Sequence, residues 1–456
     1  MTQNSASLQR TMLAVGTIVL IGVFIYVYRN DVYPLHSYVG LRDCYPGIEV
    51  LGIHAILAFL PCLWLPLVIR QPSDFVYILL YVICYFPTVL TPVLSLEQGP
   101  ADFIPFSIYA CIAFFLLKYA ASMKLYSFTL GGAGGASFWI VLTAIWMLSN
   151  VYIMVVFGTN FSLVAIEDVY QKRDEFAKLT DSVPALAYYV IGWQAGAIDP
   201  MCIAYGLKRR NVGWIALGVA GELVIYSTTA FKTSLFTPLA QAGFFFLLQR
   251  RETRDRFAPA FIWLVTLLVP MFGVLDRLLD TIFFEALVLH RCFTCPGFLA
   301  GCYFDFFSSH PYVFFSDNIM RRFIEYPYHQ AVPNVISSTY TAFQDGFANA
   351  NFFAHGYSQA GAFGILGMTL VLGVILSVCN ELSRRKNVTT VCCLLVPSIM
   401  SLSNSGVTIT LLTNGMAMAL LLIPLLPDTE DLPVRRLPAT LKSAPRRTLQ
   451  EPSLPV

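Results

Sequence analysis

The sequence predicts an all-α polytopic integral membrane protein, and three observations carry that prediction. Only 12% of the 456 residues are charged and 57% are hydrophobic, with a mean hydropathy of +0.66, whereas soluble domains carry about 25% charged residues. Apolar runs of the length a bilayer of about 30 Å demands recur along the whole chain. Lysine and arginine gather in alternate connecting segments, as positive-inside sorting requires.

A window of about 19 residues yields about twelve spans. They lie near 12–28, 48–69, 75–95, 104–122, 137–157, 184–206, 212–230, 234–249, 258–275, 358–379, 389–404 and 407–426. The first is followed by "RNDVYP" rather than a small-residue cleavage site, so it reads as a retained helix and not a signal peptide. The pair flanking Phe231 is short for a bilayer and reads as bent or re-entrant. With the N-terminus inside, "KRR" 208–210, "RRETRDR" 250–256 and "RRK" 384–386 all fall on the inner face. Residues 1–426 then form one transmembrane domain with outer segments at 158–183 and 276–357. The Pro- and Arg-rich residues 427–456 read as a disordered inner tail.

The net charge of +2 is scattered over short loops and does not suggest a nucleic-acid partner. Most of the eleven cysteines lie in apolar runs and read as small buried hydrophobes, while Cys292-x-x-Cys295 suits a disulfide or a structural role. "GGAGG" at 131–135 lacks the Lys-Ser/Thr of a phosphate-binding loop, and no H-E-x-x-H, G-x-S-x-G or G-x-G-x-x-G occurs. Neither a metal nor a nucleotide is therefore expected.

Chemistry is expected instead at the outer face. Lys232 in "FKTSLF" falls between two apolar runs, where a lysine either snorkels or meets a phosphate at headgroup depth. Segment 158–183 alternates Ile166, Val169, Tyr170 and Phe176 with charges, as a surface amphipathic helix does, with Arg173 able to face inward. The stretch "HRCFTCPGFLAGCYFDFFSSHPYVFFSD" (290–317) is too polar to span. Its proline and glycines predict a turn-rich path, and its aromatic residues either bury the loop or wall a sugar groove. In "FANANFFAHGYSQAGAFGILG" (347–367) Asn349, Asn351 and His355 can hydrogen-bond a ligand, and Ala360, Gly361, Gly364 and Gly367 suit close helix packing.

Together "FKTSLF", the 290–317 stretch, "EYPY" (325–328) and the 347–367 stretch resemble the motif series of bacterial oligosaccharide repeat-unit polymerases, the Wzy-type O-antigen polymerases, over roughly residues 160–370. The family's Arg-x10-Gly spacing is missed by one residue between Arg291 and Gly301. The resemblance implies a fold similar to the C-superfamily lipid-linked glycosyltransferases, in the bacterial inner membrane with a periplasmic site. It implies transfer of an undecaprenyl-diphosphate-linked oligosaccharide onto a second one, inverting and metal-independent, with a chain-length regulator as a partner. On that footing Arg291 is the cation for the leaving diphosphate, since a guanidinium binds phosphate bidentately. Lys232 and Arg173 assist, His310 is the general base by its intrinsic pKa range, and Asp305 is its reserve. Tyr303, Asn349, Asn351 and His355 bind substrate. An O-antigen ligase, or a non-enzymatic flippase, is the alternative; a flippase would show charged residues deep in several spans, whereas most spans here lack them, Glu222 being an exception.

Overall fold

The computed structural model describes residues 3–97, 100–124, 136–158, 176, 183–318, 320–343 and 346–427. It is all-helical among these residues. Seven helical segments are long and apolar enough to cross a membrane: Ala6–Val39, Pro72–Ser95, Ile104–Ser122, Phe138–Phe157, Val212–Thr229, Phe257–Leu279 and Phe352–Leu382. The chain is a polytopic membrane protein.

Pro72–Ser95 is the axis of the bundle, with every residue buried. Three tyrosines on it would be costly in such a place without partners, and each hydroxyl finds a backbone carbonyl. Tyr77 donates to Phe114 O at 2.8 Å, Tyr81 to Ala58 O at 2.8 Å and Tyr85 to Leu57 O at 2.6 Å. Leu57 O needs such a donor because the residue four positions on is Pro61, which has no N–H. Breakage of the neighbouring helix is thus compensated by the central one.

The expected number of spans is corrected by local backbone breaks. Runs 389–404 and 407–426 are not single helices but four short ones, Val388–Leu394, Val396–Leu402, Val407–Leu412 and Met416–Leu422. They are separated at Leu395, just ahead of Pro397, at Gly406 and at Gly415, the last with φ +87°. Hydropathy registers the grease in such a segment but not its breaks. Run 184–206 is helical but carries a π turn at Gln194–Ile198.

Phe352–Leu382 is also two helices. Ala360 and Gly361 (φ +59°, ψ −139°) leave helical geometry, and the short Phe352–Gln359 arm folds back until a Cβ on Gly364 would lie 2.0 Å from Gly356 O. The carbonyls of Ser358 and Gln359, cut off from their helical donors, accept the N–H groups of Val313 (2.9 Å) and Phe314 (3.0 Å) instead. Gly364 thus permits the close helix approach expected of these small residues, Gly361 makes the chain reversal, and Gly367 meets nothing within 4 Å.

Candidate functional site at the Cys295–Ser309 helix

The expected turn-rich path through 290–317 is the largest correction. Residues Glu285–Thr294 form a π-helix that passes directly into the α-helix Cys295–Ser309. Pro296 falls in the first turn, where its missing N–H costs nothing. Gly297 and Gly301 are contact points, not turns. A Cβ on Gly297 would meet Pro87 O at 2.2 Å and Thr91 Oγ1 at 2.5 Å, and one on Gly301 would meet Leu96 Cδ1 at 2.7 Å. The glycines let this helix press onto the C-terminal half of the central helix.

The aromatic residues are sorted accordingly. Phe293, Phe298, Tyr303, Phe304, Phe306 and Phe307 are buried, packing on one another and on Phe103, Phe106 and Tyr357. They are core, not groove walls. Tyr312, Phe314 and Phe315 keep exposed surface, and Phe314 and Phe315 hold φ of +49° and +59°. Left-handed geometry is costly for bulky residues; it is held here by the bonds to Ser358 and Gln359, including Phe315 N–H to Gln359 Oε1 at 2.6 Å.

At the C-terminal end of the helix stands His310, exposed, its ring stacked on Phe306 at 4.0 Å. Its Nδ1 lies 2.8 Å from Phe306 O and 3.0 Å from Ser309 Oγ. Bonding to a carbonyl requires Nδ1 to carry the proton, which leaves Nε2 with its lone pair free to accept one. One turn back, half-buried Asp305 accepts the Tyr340 hydroxyl. Burial raises its carboxyl above the ordinary range, with the Tyr340 hydrogen bond and His310 opposing. Buried Tyr303 donates to Ala348 O at 3.1 Å, tying down the segment that presents exposed Asn349. Tyr328 donates to Pro311 O at 2.5 Å and lays its ring 5.7 Å from Phe306. His310 and Asp305 thus belong to one neighbourhood, and Tyr303, farther back on the same helix, ties down the segment of Asn349.

The other expected residues do not join it. Arg291 is exposed on the π-helix, Nη1 3.9 Å from Cys295 Sγ. A continuous helix of about 1.5 Å rise per residue puts it on the order of 25 Å from His310. Asn351 is fully buried and works as the cap of the Phe352 helix, its Oδ1 accepting Phe353 N–H (3.1 Å) and Ala354 N–H (3.2 Å). Its Nδ2 donates to Thr88 Oγ1 (2.8 Å) and Pro296 O (3.2 Å), so the whole amide is engaged. His355 packs its ring onto Gly406, where a Cβ would come within 2.4 Å. Lys232 opens the Lys232–Gln249 helix, which packs on Asp199–Arg209 and Val212–Thr229 in another part of the bundle. Arg173 and the expected amphipathic helix, apart from Phe176, lie outside the described residues, as does the tail beyond 427. All eleven cysteines are free thiols, Cys292 and Cys295 included.

A second polar cluster surrounds Arg291 that sequence reading missed. His36 Nε2 and Glu285 Oε2 are 2.6 Å apart, and the buried His290 ring stacks on His36 at 4.1 Å. Asp276 accepts Glu285 N–H at 2.6 Å, Phe284 N–H at 3.1 Å and Thr281 Oγ1 at 2.7 Å, capping the π-helix. Desolvation lowers the His290 imidazole to about 3, with His36 and Arg291 adding to the effect; it is neutral at neutral pH. Burial raises Glu285 against the pull of His36. His290 stood in plain view, but no sequence signal joins it to a histidine more than 250 positions earlier. Arg321 and Arg322, both exposed on the loop that returns to His310 through Tyr328, were also missed; adjacent arginines in a loop between aromatic residues are a signal that could have found them. Among the described residues no set of His, Cys, Asp or Glu converges as a metal site does.

Compared with protein-family models, with curated proteins and with solved structures, the chain matches none of them.

Proposed function

We propose that the chain is a polysaccharide polymerase. In this reading it joins undecaprenyl-diphosphate-linked oligosaccharide repeat units at the periplasmic face of a bacterial inner membrane and releases undecaprenyl diphosphate. The observation that carries the reading is His310, exposed, with its tautomer set by Phe306 O and Nε2 left as a base, near Asp305. The acceptor sugar hydroxyl loses its proton to Nε2 as its oxygen bonds to the anomeric carbon of the donor. The bond from that carbon to the diphosphate breaks, and the diphosphate leaves with the electron pair. Asn349 and the open edges of Tyr312 and Phe314 hold the acceptor sugar.

Arg291 stands too far from His310 to serve the same reacting carbon. Its place suits the diphosphate of the acceptor lipid, whose terminal sugar lies one repeat unit away, a length of the same order as the helix. Arg321 and Arg322 are then the cations for the departing diphosphate of the donor, where charge stabilisation counts most. A gel of lipopolysaccharide from a strain lacking the gene tests this reading. Core bearing one repeat unit is expected; long polymer, or core bearing none, overturns it, the latter in favour of a ligase or flippase.

A further inference from the structure

The polymerase reading leaves two carboxyl groups inside the membrane without a task. Asp199 (0% exposed) begins the Asp199–Arg209 helix, and Glu222 (1% exposed) lies in the span Val212–Thr229 packed against it. The approach is close. A Cβ on Gly221 would lie 2.2–2.4 Å from the Asp199 carboxylate, and one on Gly218 would lie 2.6 Å from Asp199 O. The π turn Gln194–Ile198 just before Asp199 brings Gln194 Nε2 to Asp199 Oδ1 at 2.6 Å, and Trp146 Nε1 reaches the same oxygen at 2.8 Å. Ser149 in turn donates to Gln194 Oε1, fixing which end of the amide faces the acid.

Two donors on Oδ1 favour Asp199 as the anion. Asp199 Oδ2 and both oxygens of Glu222 have no hydrogen-bond partner. Ser234 is near enough to act on the Glu222 charge but makes no hydrogen bond of ordinary geometry. Gln241, fully buried, adds independent evidence of an unfilled polar site. It spends Nε2 on Pro200 O (3.2 Å) and Cys393 O (2.9 Å) and leaves Oε1 unpartnered. Charging two neighbouring carboxylates at once in lipid is costly, so the pair favours keeping one proton. A single proton on Glu222, donated toward Asp199 Oδ2, removes one charge and gives a partner to Asp199 Oδ2 and to one Glu222 oxygen. Other titratable or charged groups on the packed elements are Tyr226 one turn from Glu222, Cys202 one turn from Asp199, Tyr205 and Tyr152, Cys392 and Cys393 opposite, Lys232 in the first turn of the next helix, and Lys208 and Arg209 at the far end.

We propose that Asp199 and Glu222 form an intramembrane proton-binding site, holding one exchangeable proton between them. Glu222 lies eight residues from Ala230, so a helix of 1.5 Å rise puts it about 12 Å below the turn that leads to Lys232. That is the shorter route for exchange with water. π turns often mark functional positions in helices, and this one supplies the donor that orders the pair.

The test uses the full-length wild-type protein in lipid nanodiscs and dicyclohexylcarbodiimide, an apolar reagent that adds to protonated carboxyls and spares carboxylates. Peptide mass spectrometry is expected to find the adduct on Glu222 or Asp199. Its yield should fall several-fold as the medium is raised from about pH 6 to about pH 9, and should be the same in sodium as in choline chloride. The infrared band of a protonated carboxyl should weaken over the same range, and that change should be missing in E222Q. No adduct at either residue, an adduct and band indifferent to pH, or protection by sodium at constant pH would each overturn the proposal, the last by making the pair a cation site.

Discussion

Arg291, within the π turns, and His310, at the C-terminal cap, lie along one uninterrupted helical segment, not on two sides of a loop. The π turns of Glu285–Thr294 run into Cys295–Ser309 without a non-helical residue between them. In the proposed reading, function is divided between an arginine beside a buried His–Glu cluster and a histidine on an aromatic rim. The two should fail differently. Arg291→Ala should raise the concentration of acceptor needed and leave the maximal rate largely intact, while H310Q should lower the maximal rate. Steady-state kinetics with acceptor and donor varied separately distinguish these outcomes.

Two glycines in neighbouring elements should respond oppositely to alanine. At Gly297 the new Cβ meets backbone oxygen of Pro87 at 2.2 Å, which a flexible side chain cannot relieve, while Gly367 has open space. G297A should lose several degrees of melting temperature or fail to accumulate, and G367A should match the wild type. Fluorescence-detected thermal unfolding in detergent measures both.

Much of the membrane architecture was legible in the sequence, because span detection depends only on hydropathy. Pro72–Ser95, Ile104–Ser122, Val212–Thr229 and Phe257–Leu279 fall where they were expected. What was not legible depends on three-dimensional context. Pro296 and Gly297 punctuate a soluble loop but are well suited to a helix start pressed on a neighbour. Asn351 looked like a ligand for substrate because a capping asparagine and a binding asparagine are the same residue. His36 and His290 meet only in the fold, and no periodicity announces them.

Gly361 should tolerate no side chain. Its φ of +59° is paired with a contact of 2.8 Å between an added Cβ and the Tyr312 hydroxyl. G361A is expected to cost about 1–3 kcal/mol and to free the 311–318 segment, whose anchors are the carbonyls beside this kink. Proteolysis near Phe314 and Phe315 should become faster in the variant.

His290 gives stability a defined pH dependence. Its native value of about 3 lies below the ordinary imidazole value of 6.5, so the unfolded chain binds the extra proton between these limits. Stability is fully present above about 6.5 and is lost progressively as pH falls toward about 3. H290Q should flatten that part of the profile. Equal slopes for wild type and variant would show that His290 does not control it.

The most direct test of the central claim is the reaction itself. Purified protein given only undecaprenyl-diphosphate-linked repeat units in detergent should form dimers and longer oligomers, with one undecaprenyl diphosphate released per bond. H310Q should slow this by about 10²- to 10⁴-fold, the usual worth of a general base. No oligomers from folded wild-type protein, or H310Q as fast as wild type, would contradict the account.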